Sequence, residues 1–168
     1  MVTIALIVLL GICLTLIFVI QVTKIIGASM LPVLKDKDLV LVNKLAYKLR
    51  KPRRFEVIAF RFNQEKKQYL VKRIIALPNE KLQIKKGHIY INGVKLDEEY
   101  GLEQVKSKQG ILKGGIATKE MRLANDEYFV LGDNRSNSLD SRSAEIGAVK
   151  FDRVVGVVWF RMVWPGRN

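Results

Sequence analysis

A loop at residues 132–142, with the sequence GDNRSNSLDSR, carries the densest set of side chains in this chain that could do chemistry. It follows the apolar residues 128–131, which are typical of a strand that ends in a Gly-Asp turn. Loops held at strand ends often carry binding and catalytic groups. We call it the polar loop. A solvated turn or a calcium loop is the alternative, but Arg135 would put a cation among the calcium ligands and no glycine supplies the mid-loop turn of an EF-hand.

Two residues outside the polar loop could act as a nucleophile and a base. Ser29, in the sequence Ser-Met-Leu-Pro, follows a long apolar segment, so a nucleophile there would work at a membrane surface. Lys72 lies in a predicted strand, and alternation puts apolar residues on its face, namely Leu70, Ile74 and Ala76. Desolvation would lower the pKa of its amine, which would let it accept a proton from a serine. The alternative is an edge-strand lysine with its ammonium in water.

Histidine and cysteine chemistry is restricted by composition. His88 is the only histidine, so a Ser-His-Asp triad could use no other residue, and its Lys-Lys-Gly-His turn is an unpromising place for a base. Cys13 is the only cysteine, which excludes an intramolecular disulfide and a four-cysteine zinc site. If the chain is a hydrolase, we therefore expect that its base is not histidine, and we expect no metal and no other cofactor.

The first 23 residues predict one transmembrane anchor. No Lys, Arg, Asp or Glu occurs before Lys24, and residues 1–22 are long enough to cross a hydrocarbon core of about 30 Å as a helix. A cleaved signal peptide is the alternative, because residues 26–28 resemble a cleavage site. Its apolar run would be too long, however, and no basic region precedes it.

The formal net charge of +13 lies entirely after this segment. Its densest part precedes Glu56 and comprises Lys44, Lys48, Arg50, Lys51, Arg53 and Arg54. Such a surface would attract anionic lipid, a polyanionic wall polymer or nucleic acid. Nucleic acid is the least favoured of these, because the cluster has neither zinc-finger spacing nor an RNA-binding aromatic signature.

Short runs of β-branched and aromatic residues predict strands at residues 39–42, 55–62, 69–77, 88–96, 128–131 and 154–164. Asn92-Gly93 predicts a hairpin, because a type I′ turn needs positive φ at both central residues. We expect a mainly antiparallel β domain over residues 24–168, with a small inserted subdomain at about residues 79–125. The run 154–160 is apolar on both faces, which fits a strand in a closed core, a strand at the membrane interface, or both.

Four motifs resemble, in order and spacing, those of bacterial type I signal peptidases. They are GASMLP at 27–32, DLVLVNK at 38–44, KRIIALP at 72–78 and the polar loop. The polar loop is highly specific, whereas Ser-Met-x-Pro alone is not. The resemblance implies a membrane-anchored serine-lysine endopeptidase of the compact, single-span form found in Gram-positive bacteria. Its substrates would be secretory precursors with small residues at positions −3 and −1 of the signal peptide.

Carried over to matching positions, the resemblance makes Ser29 the nucleophile and Lys72 the general base, with Ser138 hydrogen-bonded to the Lys72 amine. The backbone N–H of Ser29 would donate to the oxyanion. Two structural ion pairs would hold the polar loop beside the dyad: Asp140 with Arg142, and Asp133 with Arg73.

Several positions depart from the family pattern. Val33 stands where Thr is frequent, Ala76 replaces a usual Gly, and Asn79-Glu80 replaces Gly-Asp. Gly27 lacks the hydroxyl that some relatives place two residues before the nucleophile, which implies a backbone-only or water-assisted oxyanion hole. The positive-inside rule would put the domain in the cytoplasm, because the lysines nearest the span follow it. We follow the resemblance and expect the extracytoplasmic side.

Other functions stay open. A self-cleaving repressor is disfavoured, because it would begin with a helix-turn-helix in place of an apolar segment. A pilus-type precursor peptidase would prefer one client. A non-catalytic homologue would be expected to lose Ser29 or Lys72, and both are present. A basic membrane-tethered binding module would bind polymer without either residue. The sequence does not determine the oligomeric state.

Overall fold

Antiparallel strands dominate the computed structural model, which describes residues 1–63, 68–101 and 112–162. In chain order the elements are α1 (Val2–Val19), β1 (Ile20–Lys24), β2 (Leu39–Asn43), α2 (Ala46–Leu49), β3 (Val57–Asn63), β4 (Gln68–Ala76), β5 (Lys81–Lys85), β6 (His88–Ile91), β7 (Val94–Lys95), β8 (Met121–Arg122), β9 (Glu127–Leu131), β10 (Val149–Lys150) and β11 (Val154–Met162). One sheet has the order β1-β2-β11-β3-β4-β9-β10 and a second has the order β7-β6-β5-β8. Every strand pairing described is antiparallel, which confirms the predicted class.

The N-terminal helix is shorter than the sequence predicts. α1 ends at Val19, and the next five residues form β1, which pairs with β2 from Ile20 opposite Asn43 to Lys24 opposite Leu39. The prediction of a helix through residue 22 is therefore wrong, because these backbone groups bond to a neighbouring strand and not along a helix. In the part of the chain that the structure describes, no helix has both the length and the apolar character that a membrane crossing needs.

The second sheet lies between β4 and β9 in the chain and packs on the first sheet. Its buried side chains form one core with side chains of β4 and β9: Leu82, Ile84, Ile89 and Ile91 with Ile75, Phe129 and Leu131. The predicted hairpin is confirmed, since Asn92 and Gly93 have φ of 51° and 81°. β5 was not predicted, although its alternating buried and exposed residues in the sequence KLQIK carry that signal. The division into an inserted subdomain stays a prediction, and residues 102–111 lie outside the described residues.

The last strand, β11, combines the two interpretations of its apolar sequence. Val157 is buried between β2 and β3, whereas Trp159 and Phe160 are 63% and 64% exposed. An irregular register between Val158 and Phe160 accompanies this exposure of two consecutive aromatic residues. The first half of β11 therefore belongs to the core and the second half exposes aromatic surface. Residues 163–164 of the predicted strand lie outside the described residues.

Candidate active site

The segment between β1 and β2 holds Ser29 at the edge of the first sheet. Its two ends are tied together, because the backbone N–H of Ile25 donates to the carbonyl of Asp38 over 2.8 Å and the N–H of Lys37 donates to the carbonyl of Ile25 over 2.8 Å. Met30 is buried in the same core as Ile25, so the residue after Ser29 is anchored in the protein. Ser29 is therefore presented by a short, closed loop with an apolar anchor.

Lys72 lies on β4, between β3 and β9, and its side chain reaches Ser29. The Lys72 Nζ is 2.8 Å from the Ser29 Oγ and donates a second hydrogen bond over 3.0 Å to the carbonyl of Val71. Only 2% of Lys72 is exposed, which rules out the interpretation as an edge-strand lysine with its ammonium in water. The predicted alternation along β4 does not hold at Ala76. The register between β4 and β9 shifts between Ile74 and Ala76, and Ala76 packs in the same core as Ile75.

The surroundings of Lys72 make its amine a weaker base than an ordinary lysine. Burial lowers its pKa from 10.5 to about 8, while the negative charges of Asp140 and Asp133 oppose this shift. As an ammonium, Nζ donates to the Ser29 Oγ; once deprotonated, it can accept the Oγ hydrogen along the same line. The pair can therefore transfer a proton near neutral pH.

The two predicted ion pairs are present. Asp133 accepts from the Arg73 Nε over 2.7 Å and from its Nη2 over 2.6 Å, with both side chains almost fully buried. Asp140 accepts from the Arg142 Nε and Nη2 over 2.8 and 2.9 Å, and also from the backbone N–H of Gly132 over 3.1 Å. These bonds hold the polar loop from both ends, and buried charges that are paired in this way avoid most of the cost of desolvation.

The predicted hydrogen bond between Ser138 and Lys72 is not formed. The Lys72 amine bonds to Ser29 and Val71, and the Ser138 Oγ is buried with no hydrogen-bond partner among the described residues. The hydroxyl nevertheless lies close to Ser29, because a methyl group built on Gly132 would overlap both the Ser138 Oγ and the Ser29 carbonyl oxygen. Ser138 is thus a buried, unsatisfied hydroxyl beside the dyad.

Asn134 is a positioning residue that sequence reasoning did not single out. Its backbone N–H donates to the carbonyl of Ser29 over 3.0 Å, and its Nδ2 donates to the carbonyl of Ala28 over 3.0 Å. The only sequence signal is its place within the polar loop, which does not say what it contacts. Asn134 therefore links the polar loop directly to the backbone of Ala28 and Ser29.

Gly27 precedes Ser29 by two residues and has a φ of +90°, in the left-handed region that favours glycine. Its N–H donates to the Asp36 Oδ1 over 2.8 Å. The backbone N–H of Ser29 makes no hydrogen bond to any residue that the structure describes. It can thus donate to a group that binds beside Ser29.

A cavity of about 480 Å³ opens beside the dyad. Its walls are formed by β1, by the segment between β1 and β2, and by β3 and β4. The lining residues include Thr23, Ile25, Ile26, Phe62, Tyr69 and Leu70. The cavity reaches Ser29 and Lys72, and most of its lining is apolar. It can therefore take up apolar side chains next to Ser29 and Lys72.

The only histidine does not belong to this site. His88 begins β6 in the second sheet, and its strand partner is Lys85 at the end of β5. In residues 1–63, 68–101 and 112–162, no group of three or more His, Cys, Asp or Glu side chains is placed to hold a metal ion.

Gly132→Ala is expected to lower kcat by about 100-fold, because the added methyl group would displace the Ser29 carbonyl and small misplacements of reacting groups have effects of that size. We expect a loss of about 1–3 kcal/mol in the free energy of unfolding from overpacking. The measurements are steady-state kinetics and urea unfolding. Gly147→Ala is the control, because Gly147 has a φ of +58° but no atom within 4 Å of an added methyl group. That variant should lose stability and keep its kcat; unchanged kcat in Gly132→Ala would contradict the expectation.

Comparisons with known proteins give one consistent result. The family described as "Signal peptidase, peptidase S26" matches residues 1–164. Signal peptidase I of Bacillus caldolyticus is 43% identical over 145 residues, which cover 83% of this chain and 76% of that protein. Signal peptidase IB of Staphylococcus aureus is 38% identical over 157 residues, which cover 88% and 80%. The crystal structure of a signal peptidase I from Enterococcus faecalis V583 superposes with a TM-score of 0.55 at 35% identity, covering 66% of this chain and 98% of that one.

Proposed function

The chain belongs to the signal peptidase family, peptidase S26, and is therefore an endopeptidase that cleaves signal peptides; we propose that Ser29 and Lys72 are its catalytic dyad. The observation that carries this proposal is the distance of 2.8 Å between the Ser29 Oγ and the Nζ of a buried lysine. A serine becomes a strong nucleophile when an adjacent base can take its proton, and a lysine can do so once its pKa is lowered.

The mechanism begins with neutral Lys72. Its Nζ takes the proton of the Ser29 hydroxyl as Oγ attacks the scissile carbonyl carbon, and the backbone N–H of Ser29 donates to the resulting oxyanion. The Lys72 ammonium then gives its proton to the leaving amine, which becomes the N-terminus of the mature protein. The signal peptide stays bound as an ester of Ser29. Lys72 then takes a proton from a water molecule as the water oxygen attacks this ester, and the ammonium returns the proton to the Ser29 Oγ as the C–Oγ bond breaks. The signal peptide leaves with a new C-terminal carboxyl group, and the Ser29 hydroxyl and neutral Lys72 are restored.

The supporting residues would hold this arrangement and adjust the base. Asp133 and Asp140 each act on Lys72 by raising its pKa, and each is paired with an arginine, which limits that effect. The Ser138 Oγ has no hydrogen-bond partner among the described residues, and we propose that it accepts a hydrogen bond from the Lys72 amine during the reaction. Its role would then belong to the reaction and not to the resting protein.

We propose that the substrates are secretory precursors whose small side chains at positions −3 and −1 enter the cavity beside the dyad. The cavity is partly walled by apolar side chains such as Ile25 and Leu70. Apolar contact with small side chains suits a signal-peptide cleavage site.

We propose that α1 anchors the protein in the cell membrane, with the peptidase domain on the extracytoplasmic side. α1 contains no charged residue, and its first half exposes apolar side chains such as Ile7 and Leu9. Ile26, Trp159 and Phe160 are also exposed, and aromatic residues favour the membrane interface. Lipid would thus cover surfaces that are costly to leave in water.

The test is incubation of the detergent-solubilised protein with several secretory precursors and mass spectrometry of the products. We expect one cut after an A-x-A-like site, and no cut when a bulky residue replaces the small residue at position −1. Cleavage of a single precursor in the panel would indicate a specialised, pilus-type peptidase. No cut in any precursor by the folded protein would indicate a non-catalytic homologue.

A further inference from the structure

Residues 97–101, which we call the strap, follow β7 and cross to the polar loop. The Glu98 carboxylate accepts from the Arg135 Nη1 and Nη2, each over 2.7 Å, and only 4% of the Arg135 side chain is exposed. The same guanidinium donates to the carbonyl of Gly132 over 3.0 Å and to that of Tyr100 over 3.4 Å. Arg135 is therefore bound by the strap on one side and by its own loop on the other.

Tyr100 makes the second contact between the strap and the site. The Arg73 Cζ lies 3.6 Å from the centre of the Tyr100 ring, and the ring also packs against Phe55 at a centroid distance of 5.5 Å. Arg73 is the residue that binds Asp133 through two hydrogen bonds. A cation over an aromatic face is stabilised most where water is excluded, and the Arg73 side of this contact is buried.

The two contacts flank the residue that holds the nucleophile. Glu98 acts on Arg135, and Tyr100 acts through Arg73 on Asp133, so the strap reaches both neighbours of Asn134. Asn134 in turn donates to the carbonyls of Ser29 and Ala28. A change in the strap is therefore transmitted to Ser29 through one residue.

We propose that the strap is a positioning element for the nucleophile, with Glu98 and Tyr100 as positioning residues that keep Asn134 against the Ser29 backbone. The inference rests on the proposed function, since it gives Glu98 and Tyr100 a role in a reaction assigned to Ser29. Neither residue is a catalytic residue.

The chain offers a matched control for Glu98. Glu80 also binds an arginine through both oxygens, with distances of 2.5 and 3.0 Å to Arg54, and its side chain is 17% exposed compared with 12% for Glu98. Arg54 also donates to the carbonyl of Ile75, outside the polar loop. Glu80→Gln therefore removes a similar ion pair without loosening the polar loop.

The first experiment compares cleavage kinetics and Tm in Glu98→Gln and Glu80→Gln. We expect a lower Tm in both variants. Only Glu98→Gln should also show a kcat that is lower by about 10-fold or more, as misplacement of a reacting group predicts. Its KM should stay within about twofold of that of the original protein. A partial return of kcat in Glu98→Asp would support positioning by the carboxylate. If Glu98→Gln has a lower Tm but an unchanged kcat, the strap is only structural and the proposal is overturned.

The second experiment does not depend on activity. Hydrogen exchange followed by mass spectrometry should show faster exchange of peptides covering residues 28–34 and 132–140 in Glu98→Gln, and unchanged exchange there in Glu80→Gln. Tyr100→Leu serves as a second variant if Glu98→Gln does not fold. Unchanged exchange at residues 28–34 overturns the proposal. If the original protein cleaves no precursor, the proposed function fails, and hydrogen exchange still decides whether the strap holds the Ser29 segment.

Discussion

Ser29→Ala is expected to lower kcat for precursor cleavage by about 10⁴-fold or more, because loss of a catalytic serine leaves only substrate binding and oxyanion stabilisation. The substitution removes the atom that lies 2.8 Å from the Lys72 Nζ and leaves the backbone bond from Asn134 to residue 29 in place. We therefore expect the variant to fold, with a Tm close to that of the original protein. Single-turnover kinetics with a labelled precursor and thermal unfolding measure the two quantities.

Ser143→Ala is the matched control for this experiment. The Ser143 Oγ accepts a hydrogen bond from the backbone of Glu145 and makes no described contact with the dyad, so its removal should leave kcat within about twofold. Substantial activity in Ser29→Ala would mean that another hydroxyl is the nucleophile. Ser138 would then be the next candidate, because its buried Oγ lies near the Ser29 carbonyl.

The cleavage rate is expected to rise about tenfold per pH unit below pH 8 and to level off above it, because only neutral Lys72 can act as the base. The pKa of about 8 for this amine locates the change in slope, and burial is its main cause. The profile of kcat/KM against pH measures the pKa in the free enzyme. A flat rate from pH 5 to pH 8 would contradict lysine as the base.

Lys72→Arg and Lys72→Met are both expected to lower kcat by about 10⁴-fold or more, although the two side chains differ in charge. Arginine keeps its proton at every accessible pH, and methionine has no group that accepts one. Lys81→Met is a suitable control, because the Lys81 side chain is 51% exposed and pairs with Glu120 at the surface. Activity in Lys72→Arg would require a different base.

The same lysine should make stability depend on pH with a defined sign. Its pKa is about 8 in the folded protein and 10.5 in its ordinary state, so between these values the unfolded chain binds more protons than the folded one. The free energy of unfolding therefore rises with pH across this window, by about 3 kcal/mol in total from this group. Urea unfolding at pH 7.5, 9 and 10 measures the rise. The difference between the original protein and Lys72→Met isolates the contribution of Lys72, and an identical pH dependence in both would contradict it.

The sequence by itself determined the β class, the hairpin at Asn92-Gly93 and the family. Each of these depends on neighbouring residues or on short motifs, so the chain carries the signal without its fold. The motifs also singled out Ser29 and Lys72, whose catalytic roles stay predictions. Hydrophobic alternation in the sequence was sufficient to predict most strands. It did not locate the boundary between α1 and β1, because apolar residues such as Ile20 and Val22 fit both a helix and a strand.

Only the tertiary structure decided how the site is held. Whether Lys72 is an exposed edge residue or a buried base depends on strands β3 and β9 on either side of β4. The bonds from Asn134 to Ala28 and Ser29 join residues more than 100 positions apart, and Glu98 reaches Arg135 across 37 positions. No local pattern specifies such contacts, because they depend on how two sheets and their loops pack. The same packing left Ser138 without its predicted partner, since the Lys72 amine is directed toward Ser29 and Val71.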